Sequence, residues 1–195
     1  TYQQLMERST ALAETTQRLS ERERIGLYLP TSSAFAVCFY GILGAGRTAV
    51  PLNLLVGREV LEFVAEDAEL DLIYTISPLA DQVEGLAERV VLLDRLPLSD
   101  PPATAPASEA DPQQAAVLLY TSGTLARPKG VPLSHRNIVS NLEGFDAVFD
   151  FDARDVFLAL LPMFHTFALT TTLVLPMSIG ATTVCMPRFQ PGGAL

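Results

Sequence analysis

The sequence predicts an α/β protein in which a mainly parallel β-sheet is flanked by helices. Short apolar runs alternate with segments of helical spacing through residues 2–93 and again after residue 115. This alternation is typical of βαβ units, whose strands pair in parallel. With 49% hydrophobic residues and a mean hydropathy of +0.29, either both faces of the sheet are covered or some apolar surface awaits a partner. A chain of 195 residues is long enough to bury a substantial core.

The first half of the chain is predicted to contain four helices and four strands. Helical spacing of apolar residues indicates a first helix over 2–19, which Thr1 can cap. Thr31 and Ser32 can cap the next helix, and Gly44 and Gly46 can end it. The predicted strands are 25–30, 48–53, 71–76 and 89–93, and the other helices are 34–46, 57–70 and 79–88.

The second half is separated from the first by a predicted surface linker over 96–114, rich in proline, serine, alanine and acidic residues. The chain therefore divides into segments 1–95, 96–114 and 115–195. After the linker we expect a strand over 115–122 and a helix that starts at Ser134. A buried strand over 155–162, an apolar helix over 166–180 and a strand over 181–187 follow.

Composition excludes several classes of function. A net charge of −9 argues against nucleic acid as a partner, since such a protein needs a basic surface. Cys38 and Cys185 lie far apart in apolar runs and are predicted to be buried free thiols. No signal peptide opens the chain, and its longest apolar stretch is too short to cross a bilayer. We therefore expect a cytoplasmic protein, and the missing initiator Met indicates a piece of a longer one.

The segment from Tyr120 to His135, YTSGTLARPKGVPLSH, collects the groups that bind a phosphate chain. Glycines let the backbone approach an anion, hydroxyls donate hydrogen bonds, and one lysine supplies positive charge. An ordinary turn with a solvated lysine would have the same composition. A Walker A loop is excluded, because Pro128 and Gly130 flank Lys129 where that motif has glycine and a hydroxyl residue.

This segment resembles the phosphate-binding signature of the adenylate-forming superfamily, which includes acyl-CoA synthetases, luciferases, aryl-CoA ligases and nonribosomal adenylation domains. Tyr120 to Thr124 and Arg127 to Gly130 match the signature, whereas Leu125 and Ala126 replace a hydroxyl residue and a glycine. Segments on both sides, such as IGLYLPTSSAFAVCFYGILGAGRTAVPLN and LALLPMFHTFALTTTLVLPMSIGATTVCMPRF, also resemble family segments. The resemblance implies that this chain is the first part of the large N-terminal domain.

The resemblance also implies the roles of individual residues. Lys129 would be catalytic by neutralising the departing pyrophosphate, and Thr121 would share a Mg²⁺ ion with the phosphates. The residues that would bind ATP are Thr121, Ser122, Gly123, Thr124, Lys129 and Gly130.

Phe164 and His165 form the second candidate site, since the family's Phe-His pair lies beside the acyl pocket. Amino-acid-activating relatives place an Asp at the position of His165, so the resemblance disfavours amino acids and favours a fatty acid. On composition alone, His165 could equally cap a helix or lie in the core, and the apolar helix after it could simply be core.

The implied activity is ATP-dependent activation of a carboxylic acid to an acyl-adenylate, followed by thioester formation with CoA. Long-chain fatty acid–CoA ligases are the most similar members. Alternatives are an acyl–acyl-carrier-protein ligase, an aryl-CoA ligase, a noncatalytic relative that binds nucleotide or acyl ligands, and an unrelated Rossmann-like oxidoreductase. We expect this segment to be inactive without the C-terminal part of the enzyme, and peripheral membrane contact is a further possible partner interaction.

Overall fold

The computed structural model describes residues 1–96, 110–121 and 127–186. Most of the predicted linker, residues 97–109, lies outside these ranges. The helices are α1 Tyr2–Leu19, α2 Ser33–Gly44, α3 Arg58–Asp67, α4 Ala80–Val83 and α5 His135–Asp146, followed by α6 Thr166–Ala168 and α7 Leu175–Ile179. The strands are β1 Arg24–Leu27, β2 Thr48–Pro51, β3 Leu72–Thr75, β4 Arg89–Leu92, β5 Ala115–Thr121, β6 Lys129–Ser134, β7 Val156–Ala159 and β8 Thr182–Cys185.

Six strands form the main sheet in the order β4-β3-β1-β2-β5-β6. Strands β1 to β5 pair in parallel, and β6 pairs with β5 in the antiparallel direction. The predicted α/β fold with a mainly parallel sheet is therefore confirmed. Because the carboxyl ends of parallel strands lie at one edge, the segments that follow β1 and β5 lie at that same edge.

Both faces of the main sheet are covered by apolar side chains. On one face, α1 and α2 contribute Leu12, Phe35 and Phe39 to a core that also contains residues of β1, β3 and β5. On the other face, Leu61 and Val64 of α3 belong to a second core with Val50 of β2, Ile73 of β3 and Leu118 of β5. Burial of apolar surface on both sides is what a parallel sheet requires.

Local capping explains where several of these helices begin and end. Thr1 forms a reciprocal capping box with Gln4, and Ser32 accepts the Phe35 amide at the start of α2. Gly46 adopts φ +72° two residues after α2, so this glycine allows the chain to turn into β2. Gly44, by contrast, is the last residue of the helix itself.

Strands β7 and β8 form a separate parallel pair rather than extending the main sheet. A strand is present within the predicted range 155–162, but the prediction that it is buried is wrong. Val156 is 66% exposed and Leu158 is 38% exposed. The helix predicted over 166–180 exists but contains a π-helical segment, Leu169–Val174, between α6 and α7. It ends at Gly180 in the left-handed conformation.

Two further predictions need correction. The sequence predicts no strand between residues 115–122 and the helix at Ser134, but residues Lys129–Ser134 form β6, and each of them pairs with a residue of β5. The helix predicted over 79–88 is limited to α4 and a preceding 3₁₀ turn, because the chain leaves helical geometry at Glu84 and Gly85.

Both cysteines are free, as predicted, but only Cys38 is fully buried, and Cys185 is half-buried. Burial raises the pKa of the Cys38 thiol well above its ordinary value, so this thiol stays protonated. Across the described ranges, none of the helices has both the length and the apolar character needed to span a bilayer.

The packing of α1 on α2 is expected to tolerate no side chain at Gly41. An added Cβ would lie 2.8 Å from the Cβ and the Cδ2 of Leu12, which is itself fully buried. Gly41→Ala should therefore lower the free energy of unfolding by about 1–3 kcal/mol, measured by urea denaturation.

Gly144→Ala in α5 is the matched control, since an added Cβ there has no neighbour within 4 Å. This control should raise stability by about 0.5–1 kcal/mol through helix propensity. Equal effects of the two substitutions would show that the α1–α2 contact is looser than described.

Candidate functional site

The hairpin of β5 and β6 brings together the two described ends of the phosphate-binding signature. Thr121 lies opposite Lys129, and Tyr120 lies opposite Gly130. Directly opposed residues of an antiparallel pair place their side chains on the same face. The Thr121 hydroxyl and the Lys129 ammonium therefore share one face of the hairpin, and both residues are exposed.

The remaining residues of the signature cannot be placed in the same way. Ser122, Gly123 and Thr124 lie outside the described residues, as do Leu125 and Ala126. The structure thus describes both flanks of the predicted ATP-binding segment. Within the described ranges, Lys129 makes no ion pair with a carboxylate.

The other face of the hairpin is tied to helix α3 by two contacts. The Tyr120 hydroxyl donates a hydrogen bond of 2.6 Å to Oδ2 of Asp67. The guanidinium carbon of Arg127 lies 5.4 Å from the centroid of the Phe63 ring, within the range of a cation–π contact. Burial and the neighbouring Asp67 carboxylate raise the pKa of the Tyr120 phenol, so the phenol remains a donor at neutral pH.

Gly130 packs closely against the Tyr120 ring. A Cβ at Gly130 would lie 3.3 Å from the Cζ of Tyr120 and 3.2 Å from the Cδ1 of Leu118. These distances are tighter than most Cβ contacts, so a larger residue would have to displace the ring. The sequence analysis assigned Gly130 to phosphate binding. It did not predict the packing of Gly130 against Tyr120.

Thr31 holds the segment that leads to the second candidate site. Its hydroxyl donates to the carbonyl oxygen of Leu161 over 3.2 Å and accepts the amide of Met163 over 3.1 Å. The prediction that Thr31 caps a helix is therefore wrong, and Ser32 alone has that role. No sequence pattern indicated that Thr31 would bond residues 161 and 163, because these partners lie 130 residues or more away.

Phe164 and His165 are placed side by side at the start of α6. Phe164 is 7% exposed, whereas His165 is exposed, and the two ring centroids lie 4.6 Å apart. His165 occupies the N-cap position without a side-chain capping bond. The alternatives of a core or a capping histidine are thus both excluded, and the imidazole is available to solvent.

Two exposed apolar residues lie close to His165 in the chain. Leu161 is 51% exposed and Phe167 is 66% exposed. Exposed apolar groups around a polar residue are typical of a surface that meets a ligand or a partner. A separate cavity of about 560 Å³ lies between α1, α2 and residues 163–185, but none of the predicted site residues lines it.

The two candidate sites lie at the same edge of the main sheet. Thr31 follows β1, Thr121 ends β5, and only β2 lies between these two strands. Neighbouring strands are about 4.8 Å apart, so β1 and β5 are separated by roughly 10 Å. In open α/β sheets, ligands bind at the carboxyl edge of the strands.

This combination of fold and site defines a class of adenylate-forming protein, and comparison with known families agrees. Residues 1–194 match the model of the AMP-binding enzyme family. The chain therefore belongs to the AMP-binding enzyme family.

Individual relatives include two CoA ligases and a solved structure. A mitochondrial malonate–CoA ligase of Mus musculus is 29% identical over 205 residues, which is 97% of this chain and 35% of that protein. A long-chain-fatty-acid–CoA ligase of Mycobacterium tuberculosis is 29% identical over 196 residues, which is 90% of this chain and 37% of that protein. This chain thus spans little more than a third of the length of these relatives.

The solved structure is the inhibitor-bound N-terminal domain of FACL13 from Mycobacterium tuberculosis. It aligns with a TM-score of 0.88 and 28% identity, covering 100% of this chain and 52% of that one. The structure and the sequence comparisons therefore agree on the family and on the α/β fold.

Removing the Thr31 hydroxyl should loosen the segment before Phe164. Thr31→Val keeps the side-chain shape but leaves the carbonyl of Leu161 and the amide of Met163 without their partner. We expect the free energy of unfolding to fall by about 1–3 kcal/mol, measured by chemical denaturation.

Thr15→Val is a suitable control, because the Thr15 hydroxyl bonds only the carbonyl of Ala11 in its own helix and the side chain of Arg18. That substitution should change stability by less than about 0.5 kcal/mol. If Thr31→Val has an equally small effect, the link between β1 and residues 161–163 does not contribute to stability.

Proposed function

We propose that the parent enzyme of this chain activates a fatty acid with ATP and transfers the acyl group to CoA. The observation that carries the proposal is the pairing of Thr121 with Lys129 at the carboxyl edge of the sheet. It aligns one hydroxyl and one cation at the two ends of a segment rich in small donors. Family membership and the two CoA ligase relatives support the same reaction class.

In the first step, a fatty acid carboxylate attacks the α-phosphate of ATP, and the bond to pyrophosphate breaks. The acyl-adenylate then reacts with the CoA thiol, which forms the thioester and releases AMP. Lys129 stabilises the charge that develops on the departing pyrophosphate. Ser122, Gly123, Thr124 and Gly130 complete the set of residues proposed to bind the phosphates.

Thr121 is the proposed protein ligand of Mg²⁺. Magnesium in nucleotide sites is usually held by one or two carboxylates together with substrate phosphates. A Ser or Thr hydroxyl also contacts the ion in P-loop proteins, so the exposed Thr121 hydroxyl could supply one of its oxygen ligands. The described residues contain no cluster of three acidic, His or Cys side chains that could hold a metal alone. The ion would neutralise phosphate charge during the first step.

The exposed surface around His165 supports a fatty acid rather than an amino acid. An ammonium group needs a carboxylate partner, and His165 stands where amino-acid-activating relatives place an Asp. Leu161 and Phe167 next to it offer apolar surface to an alkyl chain. We propose that Phe164 and His165 shape the entrance of the acyl pocket, and that catalysis also needs parts of the enzyme outside this chain.

Loss of the lysine tests the phosphate site. Lys129→Ala in the full-length enzyme should slow pyrophosphate exchange into ATP by about ten-fold to a hundred-fold, because a charge-assisted contact is lost. The melting temperature should hardly change, since an exposed lysine supports little packing.

Arg154→Ala is the matched control for the loss of a positive charge. Arg154 lies before β7, and its guanidinium contacts Asp152 on the surface. This variant should exchange pyrophosphate at the wild-type rate. Unchanged kinetics in Lys129→Ala would exclude the proposed role of the lysine.

Substrate class is tested by the same exchange assay with different acids. Octanoate or palmitate should support exchange, whereas leucine and phenylalanine should not, because no carboxylate is proposed to hold their ammonium group. Malonate and cinnamate should also be assayed, since one relative is a malonate–CoA ligase and an aryl-CoA ligase is an alternative function. Exchange driven best by an amino acid, by malonate or by cinnamate would contradict the fatty acid proposal while leaving the reaction class intact.

A further inference from the structure

Strand β6 carries the Lys129 side chain but has little in its own sequence to fix its register. Its first four residues are exposed, and among the described strands it pairs only with β5. Register is strongly specified only where one face of a strand is buried. Burial alone therefore does not determine which residue of β5 lies opposite Lys129.

A shift of one residue would be costly for the site. Successive side chains of a strand point to opposite faces, so a one-residue slip would move the Lys129 ammonium to the face that carries α3. The lysine would then no longer share a face with the Thr121 hydroxyl. Phosphate binding by both groups thus requires one particular register.

The far end of β6 does not supply that constraint. The amides of His135 and Arg136 donate to the carbonyls of Gln114 and Pro112, which anchors the strand where it enters α5. However, the β5–β6 ladder contains an irregularity between Ala115 and Val117, close to this anchor. A bulge of this kind can absorb a one-residue shift before the ladder reaches Lys129.

Helix α3 holds the near end of the hairpin at two points. Phe63 and Asp67 are four residues apart in α3 and lie on one face of the helix. Asp67 accepts the Tyr120 hydroxyl at the end of β5, and Phe63 lies beneath Arg127, just before β6. One helix face therefore contacts both limbs of the hairpin on either side of the phosphate-binding segment.

The contact of Tyr120 with Gly130 makes the arrangement selective for one register. A Cβ in place of the Gly130 hydrogen would lie 3.3 Å from the Cζ of Tyr120, so the ring would have to move by a few tenths of an ångström. A slip of one residue would place Lys129 or Val131 opposite Tyr120, and each brings a side chain into that space. The Tyr120 ring, held by Asp67, therefore favours the register in which Gly130 faces it.

Arg127 also has a defined place in this arrangement. Its guanidinium lies over Phe63 in a cavity of about 600 Å³ whose other lining residues include Glu59, Glu62 and Glu66. The negative charge of these glutamates favours a position of the Arg127 guanidinium on the α3 side. Arg127 is thus held on the α3 side of the hairpin, whereas Lys129 shares the opposite face with Thr121.

We propose that Asp67, Tyr120 and Phe63 are positioning residues that fix the register of β6 and thereby aim Lys129 at the phosphates of ATP. The part of the proposal that concerns the register of β6 does not depend on the enzyme's activity. The part that concerns ATP binding rests on the proposed function. The residues act through Lys129 and need not touch the substrate. Two measurements on the full-length enzyme separate the two parts of the proposal.

The first measurement is hydrogen–deuterium exchange, without ligand, of the backbone amides in residues 127–134, where Pro128 and Pro132 have none. Tyr120→Phe keeps the ring against Gly130 but removes the bond to Asp67, and Phe63→Leu removes the cation–π contact. Each variant should exchange these amides about two-fold to ten-fold faster, and the double variant should exceed either single one. Asp67→Asn retains an acceptor for the phenol and should have a smaller effect than Tyr120→Phe.

The second measurement is the KM for ATP in pyrophosphate exchange. Tyr120→Phe should raise this KM by about two-fold to ten-fold and leave the KM for the acid unchanged, because only the position of Lys129 is altered. Tyr2→Phe is the matched control: its hydroxyl donates to the carbonyls of Pro176 and Ala181, away from the hairpin. Exchange at residues 127–134 and the KM for ATP should both stay at wild-type values in this control.

The outcomes distinguish the hairpin from the enzyme function. Unchanged amide exchange in Tyr120→Phe and Phe63→Leu would overturn the register proposal whatever the enzyme does. Faster exchange with an unchanged KM for ATP would overturn the positioning role. A wild-type enzyme that neither binds ATP nor exchanges pyrophosphate would overturn the proposed function, and amide exchange would still decide the question of register.

Discussion

The hydrogen-bond ladder between β5 and β6 is the constraint on which the candidate site depends. It reverses the chain at the edge of a parallel sheet and sets Thr121 opposite Lys129. The parallel strands fix β5 itself, since its apolar residues are buried against helices on both faces. The hairpin then carries a cation and a hydroxyl from a rigid sheet to the point where phosphates are proposed to bind. A site built on strand ends in this way is more precise than one carried by a long loop alone.

The second part of the site depends on the same sheet through a single side chain. Thr31 follows β1 and bonds the backbone on both sides of Pro162, which sets the start of α6 and the exposed position of His165. The two candidate sites are thus positioned by two strands of one sheet, β1 and β5, with β2 between them. Their relative position requires no direct contact between them.

Most of the main sheet could be predicted from the sequence because its strands are short apolar runs separated by capped amphipathic helices. Thr1, Ser32 and Gly46 gave local signals that the structure bears out. Strand β6 gave no such signal, since it contains Gly130 and Pro132 and has no buried alternation. Its pairing depends on β5 as its partner strand, which the local sequence of β6 does not reveal. The separate pairing of β7 with β8 could not be predicted either, because an apolar run does not reveal which strand it will join.

The candidate site was predictable to the extent that its residues form a local motif. The signature around Lys129 and the Phe164–His165 pair could be read directly, and the structure places their described members at one edge. Thr31, Phe63 and Asp67 could not be found in the same way. Their partners lie 53 residues or more away along the chain, and a threonine, a phenylalanine and an aspartate in helices and turns have many ordinary roles.

The strand order has a consequence for the synthesis of the protein. Strands β1 to β4 are complete by Leu92, yet one edge of this early sheet is β2, whose eventual partner β5 starts only at Ala115. While the intervening residues are being translated, the backbone groups on the side of β2 away from β1 have no strand beside them. An open edge of this kind is where nascent chains associate with one another. Ribosomal pausing within residues 93–114 would prolong this exposure, so chaperone binding to the nascent chain should be greatest in that interval.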